Sequence, residues 1–68
     1  MSNKISRVKS ALQSLLYGEI SEADFATELY DIDNMLFKSS SIANAIYDGE
    51  ASFKNCYLLY REYMEFLE

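Results

Sequence analysis

Apolar residues recur along this chain at spacings of three and four, the period of an α-helix with one buried face. The first series is Ile5, Val8, Leu12, Leu15 and Leu16, which predicts a helix from about Asn3 to Tyr17. Gly18 follows and suits the left-handed position that ends a helix. Phe25, Leu29, Ile32 and Leu36, spaced 4-3-4, predict a second helix. Ser21 begins it, with Asp24 three residues on to make an imperfect capping box. The polar run Lys38-Ser39-Ser40-Ser41 reads as a hinge, one of its serines capping a short third helix from Ile42 to Tyr47. Gly49 stops that helix, and Ser52 caps a last, long amphipathic one.

The pattern echoes itself at an offset of 31 residues. Gly18-Glu19-Ile20-Ser21 matches Gly49-Glu50-Ala51-Ser52, and Phe25, Leu29, Ile32 and Leu36 fall on Cys56, Tyr60, Tyr63 and Leu67. Each half then reads as helix, tight turn, helix, although glycine stops and serine caps are also generic helix punctuation. Asp48-Gly49 could instead be a hairpin turn between strands. The 4-3-4-3 spacing after it favours a helix. The predicted fold is all-α: one domain over residues 1–68, a compact bundle of three to four short helices arranged as two αα-hairpins.

The last helix carries more apolar surface than one neighbour covers. Phe53, Tyr57, Tyr60, Met64 and Leu67 form one stripe, and Cys56, Leu59, Tyr63 and Phe66 a second beside it. Together they span about half of the circumference, against the ~100° that a helix typically buries. The plainer reading is the central helix of a small bundle. The functional reading is that one stripe packs internally while the other meets a second chain. Tyrosine hydroxyls need water or a partner, and half-exposed aromatics beside an apolar stripe make binding hot spots. Tyr57, Tyr60, Tyr63 and Phe66 are therefore the expected partner-binding residues.

Composition narrows the class. A chain of 68 residues buries only roughly 60% of the surface it exposes when unfolded, so its core is small. Such scaffolds add disulfides, a metal or a second subunit. Cys56 is the only cysteine and there is no histidine, so an internal disulfide is ruled out and a zinc site lacks its ligands. That leaves self-association, as a homodimer, or a protein partner. No stretch approaches the ~20 apolar residues of a membrane span, and residues 1–7 do not read as a signal peptide. The lone cysteine fits a reducing cytoplasm.

The net charge is −5, unevenly spread. Residues 1–17 carry Lys4, Arg7 and Lys9 and no acids, whereas residues 18–37 carry six acids and no bases. Glu22, Asp24, Glu28, Asp31 and Asp33 give the second helix an acidic surface. Lys4 and Lys9 flank the apolar stripe of the first helix, so an antiparallel pairing of the two could set basic edges against acidic ones. Net acidity disfavours direct nucleic-acid binding.

Catalysis lacks its usual parts. Without histidine the common general base and the common partner of a nucleophilic serine or cysteine are missing, and there is no glycine-rich phosphate loop. Gly18–Phe25 resembles the second half of an EF-hand loop, but Gln13, Leu15 and Tyr17 stand where the first calcium ligands would be. Ser39–Tyr47 resembles the recognition helix of a helix-turn-helix repressor, without a basic residue and with the wrong spacing from Phe25–Leu29. No cofactor, metal or enzymatic activity is expected. The sequence points to a protein-binding module of the inhibitor, antitoxin or regulator type, of the kind phage and mobile elements encode. The alternatives are an acidic DNA mimic that blocks a nucleic-acid-binding protein, or a purely structural homo-oligomer.

Overall fold

The computed structural model describes residues 3–68, which form five helices and no strand. They are α1 (Asn3–Leu16), α2 (Glu22–Ile32), α3 (Asn34–Ser39), α4 (Ser41–Tyr47) and α5 (Phe53–Leu67). The described residues measure 33 × 27 × 17 Å. The shortest dimension accommodates two layers of helices at the usual ~8–10 Å spacing, and not three. α5 packs against α1, α2 and α4, and α1 also packs against α2. Val8, Phe25, Leu29, Ala43, Cys56, Leu59 and Tyr63 are fully buried where these helices meet.

Helix boundaries follow from the caps. Each of α2 to α5 starts at a residue whose side-chain oxygen accepts the backbone N–H three positions on. Asp24 donates to Ser21 at 3.1 Å, Leu36 to Asp33 at 3.1 Å, Ala43 to Ser40 at 3.0 Å and Asn55 to Ser52 at 3.1 Å. Ser21 N–H donates back to Asp24 Oδ2 at 3.2 Å, closing the capping box. A cap of this kind contributes about 1 kcal/mol.

The two glycine turns have the same backbone bonds. Gly18 N–H donates to Leu15 O at 3.1 Å and Glu19 N–H to Ser14 O at 2.9 Å. In the second turn, Gly49 N–H donates to Ile46 O and Glu50 N–H to Ala45 O, both at 3.0 Å. All four donors and acceptors correspond at the 31-residue offset, and each pair of bonds is a Schellman motif. Both turns need a left-handed residue, with φ of 74° at Gly18 and 110° at Gly49. Nothing lies within 4 Å of a Cβ built at Gly49, so Gly49→Ala meets only backbone strain. It should lower stability by roughly 1 kcal/mol, read as a shift of the urea midpoint.

The predicted second helix is two helices, so the bundle has five members instead of three to four. The break is at Asp33, whose extended backbone (φ −154°, ψ 95°) ends α2 and caps α3. Ile32 and Leu36 continue the apolar spacing across it, which hides it in the pattern. The break lets Leu36 and Phe37 both reach the core. Phe37 there meets Tyr30 edge-on, with ring centroids 5.4 Å apart. The hinge expected over Lys38–Ser41 narrows to Ser40, which ends α3 and caps α4.

Candidate interaction surface

The four aromatics expected to include partner-binding residues do not lie on one face. Tyr57 and Phe66 are nine residues apart, two and a half helical turns, and so project from opposite sides of α5. Between them the core-facing side carries Cys56, Leu59 and Tyr63, all fully buried. The second stripe is thus the internal one, with Phe66 as its exposed exception. The first is buried at Met64 and half-exposed at Phe53 and Tyr57.

Tyr63 is a core residue and not a docking residue. Its hydroxyl lies 2.8 Å from Leu29 O and 2.8 Å from Asp33 O, so its single proton always has a carbonyl to meet. The expectation that a tyrosine hydroxyl resists burial fails here because two carbonyls receive it. The break at Asp33 turns a main-chain carbonyl toward α5, which satisfies the hydroxyl inside the fold. Burial first, and then the charges of Asp33 and Glu62, push the Tyr63 phenol well above its usual range.

Tyr57 and Tyr60 form one remaining aromatic surface. Their rings stack with centroids 5.9 Å apart and an interplanar angle of 29°. Tyr60 is partly buried against the core, and Tyr57 is half-exposed.

Phe66 belongs to the other. It borders an open groove of about 490 Å3 lined also by Lys4, Asp33, Met35, Leu36 and Ser39. Phe66 is 66% exposed and Met35 74% exposed, while Leu36 is buried at the base of α3. Met35 lies off the apolar series and was invisible to periodicity; its cue is the Asp33-Asn34 pair just before it, two residue types favoured at helix starts. Lys4 Nζ and Asp33 Oδ2 pair at 3.1 Å along this groove, joining the basic edge of α1 to the acidic edge of α2.

The acidic residues divide by role. Asp24, Glu28 and Asp31 are exposed on α2, but the Asp24 carboxylate is engaged in the capping box. Asp33 is partly buried, and the Leu36 N–H bond, helped by Lys4, holds its carboxyl below the usual carboxylate range. Glu22 is partly buried, and its carbonyl accepts the Cys56 thiol at 3.6 Å. Glu62, which the sequence places on the polar side of α5, accepts Ser40 Oγ at 2.5 Å and ties the α3–α4 corner to α5.

Burial, and secondarily Glu22, push the Cys56 thiol up to about 11. A thiol at that value is almost wholly protonated at neutral pH and is a poor nucleophile. Its reaction with a disulfide reagent should therefore proceed only through unfolding, with a rate that rises with urea in step with the unfolded fraction. Fast labelling of the native protein would contradict this burial.

Among the described residues no group of three or more Cys, Asp and Glu side chains could hold a metal ion. No helix among them is long and apolar enough to cross a membrane. Comparison with known families, characterised proteins and solved structures finds no match to this chain.

Proposed function

We propose that this chain is a small acidic protein-binding module that docks on another protein through the Phe66 flank of α5. One observation carries the reading: Phe66 and Met35, two large apolar side chains from different helices, stand exposed around the same groove. A solitary exposed apolar residue needs no explanation, whereas two that border one concavity form a site for a partner's side chain. Methionine suits such a site because its unbranched chain adapts to the shape it meets. The Lys4–Asp33 pair supplies a polar border that fixes orientation more than it adds affinity. The acidic-mimic alternative is weaker, because Asp24 and Asp33 are committed to helix caps.

The test places a photo-crosslinking aromatic at Phe66 and irradiates it in extract of the source cell. Adducts should form on a discrete protein, persist at high salt and disappear in a Met35→Glu background with an unchanged melting temperature. Adducts that are the same with and without Met35→Glu would sink the reading. Adducts that vanish steeply with salt would favour the mimic, whose binding is screened over about 10 Å at 0.1 M salt.

A further inference from the structure

We propose that the α1–α2 face on either side of the groove between these helices is a self-association surface, which packs against the same face of a second copy of this chain. It shares no lining residue with the Phe66 groove, and its test does not depend on that reading. The groove, about 280 Å3, is lined by Ser6, Arg7, Ser10 and Ser14 on α1 and by Glu28 and Ile32 on α2, among others. Arg7 and Glu28 are exposed on opposite walls, yet they are not within ion-pair distance of each other. Lys4 and Asp33, which join the same two helices, do pair. One wall therefore offers a cation and the other an anion, each without an ionic partner among the described residues.

That arrangement is self-complementary. A two-fold axis running along the groove sets α1 of each copy over α2 of the other. Arg7 of one copy then faces Glu28 of its partner, and the contact occurs twice, as an isologous interface requires. The same rotation lays the basic helix α1 against the acidic helix α2, which offsets the repulsion between two chains of charge −5. The lining residues of α1 apart from Arg7 are short, so the second helix meets no bulky side chain. Self-association also enlarges the buried area of a chain whose own core is small.

Sedimentation equilibrium of the full chain across a wide concentration range tests this, with circular dichroism confirming the fold of each variant. The wild type should show a monomer–dimer equilibrium that weakens with salt. Arg7→Glu and Glu28→Arg should each weaken it at least roughly tenfold, because two contacts become repulsive at once. Mixed in equal amounts, the two variants should form a heterodimer of about wild-type affinity, since every cross-chain contact again joins opposite charges. A wild type that stays monomeric to about 1 mM overturns the proposal. So does a dimer indifferent to both reversals, or a mixture that fails to pair. Ser10→Trp, at an exposed position, provides a second arm if a reversal unfolds. It should block the dimer by bulk alone, and an unaffected dimer would count against the groove.

Discussion

Tyr63→Ala should remove most of the stability of this protein, while Phe66→Ala, three residues later on the same helix, should leave it within about 0.5 kcal/mol of wild type. Tyr63 is fully buried and Phe66 is 66% exposed. Truncating a buried aromatic costs roughly 3–5 kcal/mol through lost burial and the cavity left behind. A domain of this length has about 3–10 kcal/mol in total. Tyr63→Phe separates the two contributions of the side chain. It keeps the ring and loses the hydroxyl, but Leu29 O still accepts Asp33 N–H at 3.0 Å and Asp33 O still accepts Phe37 N–H at 3.2 Å. Neither carbonyl is left bare, so the cost should be only about 1 kcal/mol. Urea denaturation of the three variants beside the wild type checks the ordering. Equal losses at Tyr63→Ala and Phe66→Ala would mean that both aromatics are core residues, and the Phe66 flank would lose its standing as a binding surface.

The elements were legible wherever one residue type enforces one backbone geometry. Gly18 and Gly49 mark left-handed turns because other residues are strained there, and Ser21 and Ser52 mark helix starts because a short side-chain oxygen reaches the N–H three residues on. The all-α class followed from the spacing of apolar residues between those marks. The break at Asp33 was not legible in the periodicity, which reports which residues face inward and is silent when the chain bends without changing that face; its one cue is the helix-starting pair Asp33-Asn34. Tyr63 was misplaced for a related reason. Its hydroxyl is satisfied by carbonyls of residues 29 and 33, and the second of these faces α5 only because of the break. One hidden bend therefore accounts for both errors. The split between Tyr57 and Phe66 could have been read from their nine-residue separation alone, since the exposed edges of a half-buried helix lie on opposite sides of its core face.

The capped break at Asp33 also links fold to site. Asp33 holds Lys4, caps α3 and presents its carbonyl to Tyr63, while the helix it starts carries Met35 into the groove beside Phe66. The position of Met35 thus depends on Asp33, which itself borders the groove. On the proposed docking role, a substitution at Asp33 should disturb binding through geometry as well as stability, whereas one at Met35 should disturb binding alone.

Raising the pH should unfold the protein cooperatively, beginning above about pH 9. Two fully buried groups drive this in the same direction. Burial raises the folded-state value of Cys56 from 9.0 to about 11 and raises that of Tyr63 from 10.0 to a still higher one. A group whose folded value lies above its unfolded value stabilises the fold fully below the unfolded value. That contribution is then lost as pH climbs toward the folded value, because the unfolded chain releases the proton first. Stability should therefore be level through neutral pH, fall from about 9 as Cys56 begins to favour the unfolded state, and fall faster above about 10 when Tyr63 joins it. Tyrosinate absorbance followed against pH, alongside circular dichroism, reads this directly. A last fraction of that absorbance, belonging to the buried Tyr63, should appear only as helix is lost. In Tyr63→Phe that delayed fraction should vanish, and the decline of stability above about pH 10 should become shallower, leaving the part that belongs to Cys56. If every tyrosine ionises while the helical signal is intact, the Tyr63 hydroxyl is open to solvent and its place between α2 and α5 is wrong.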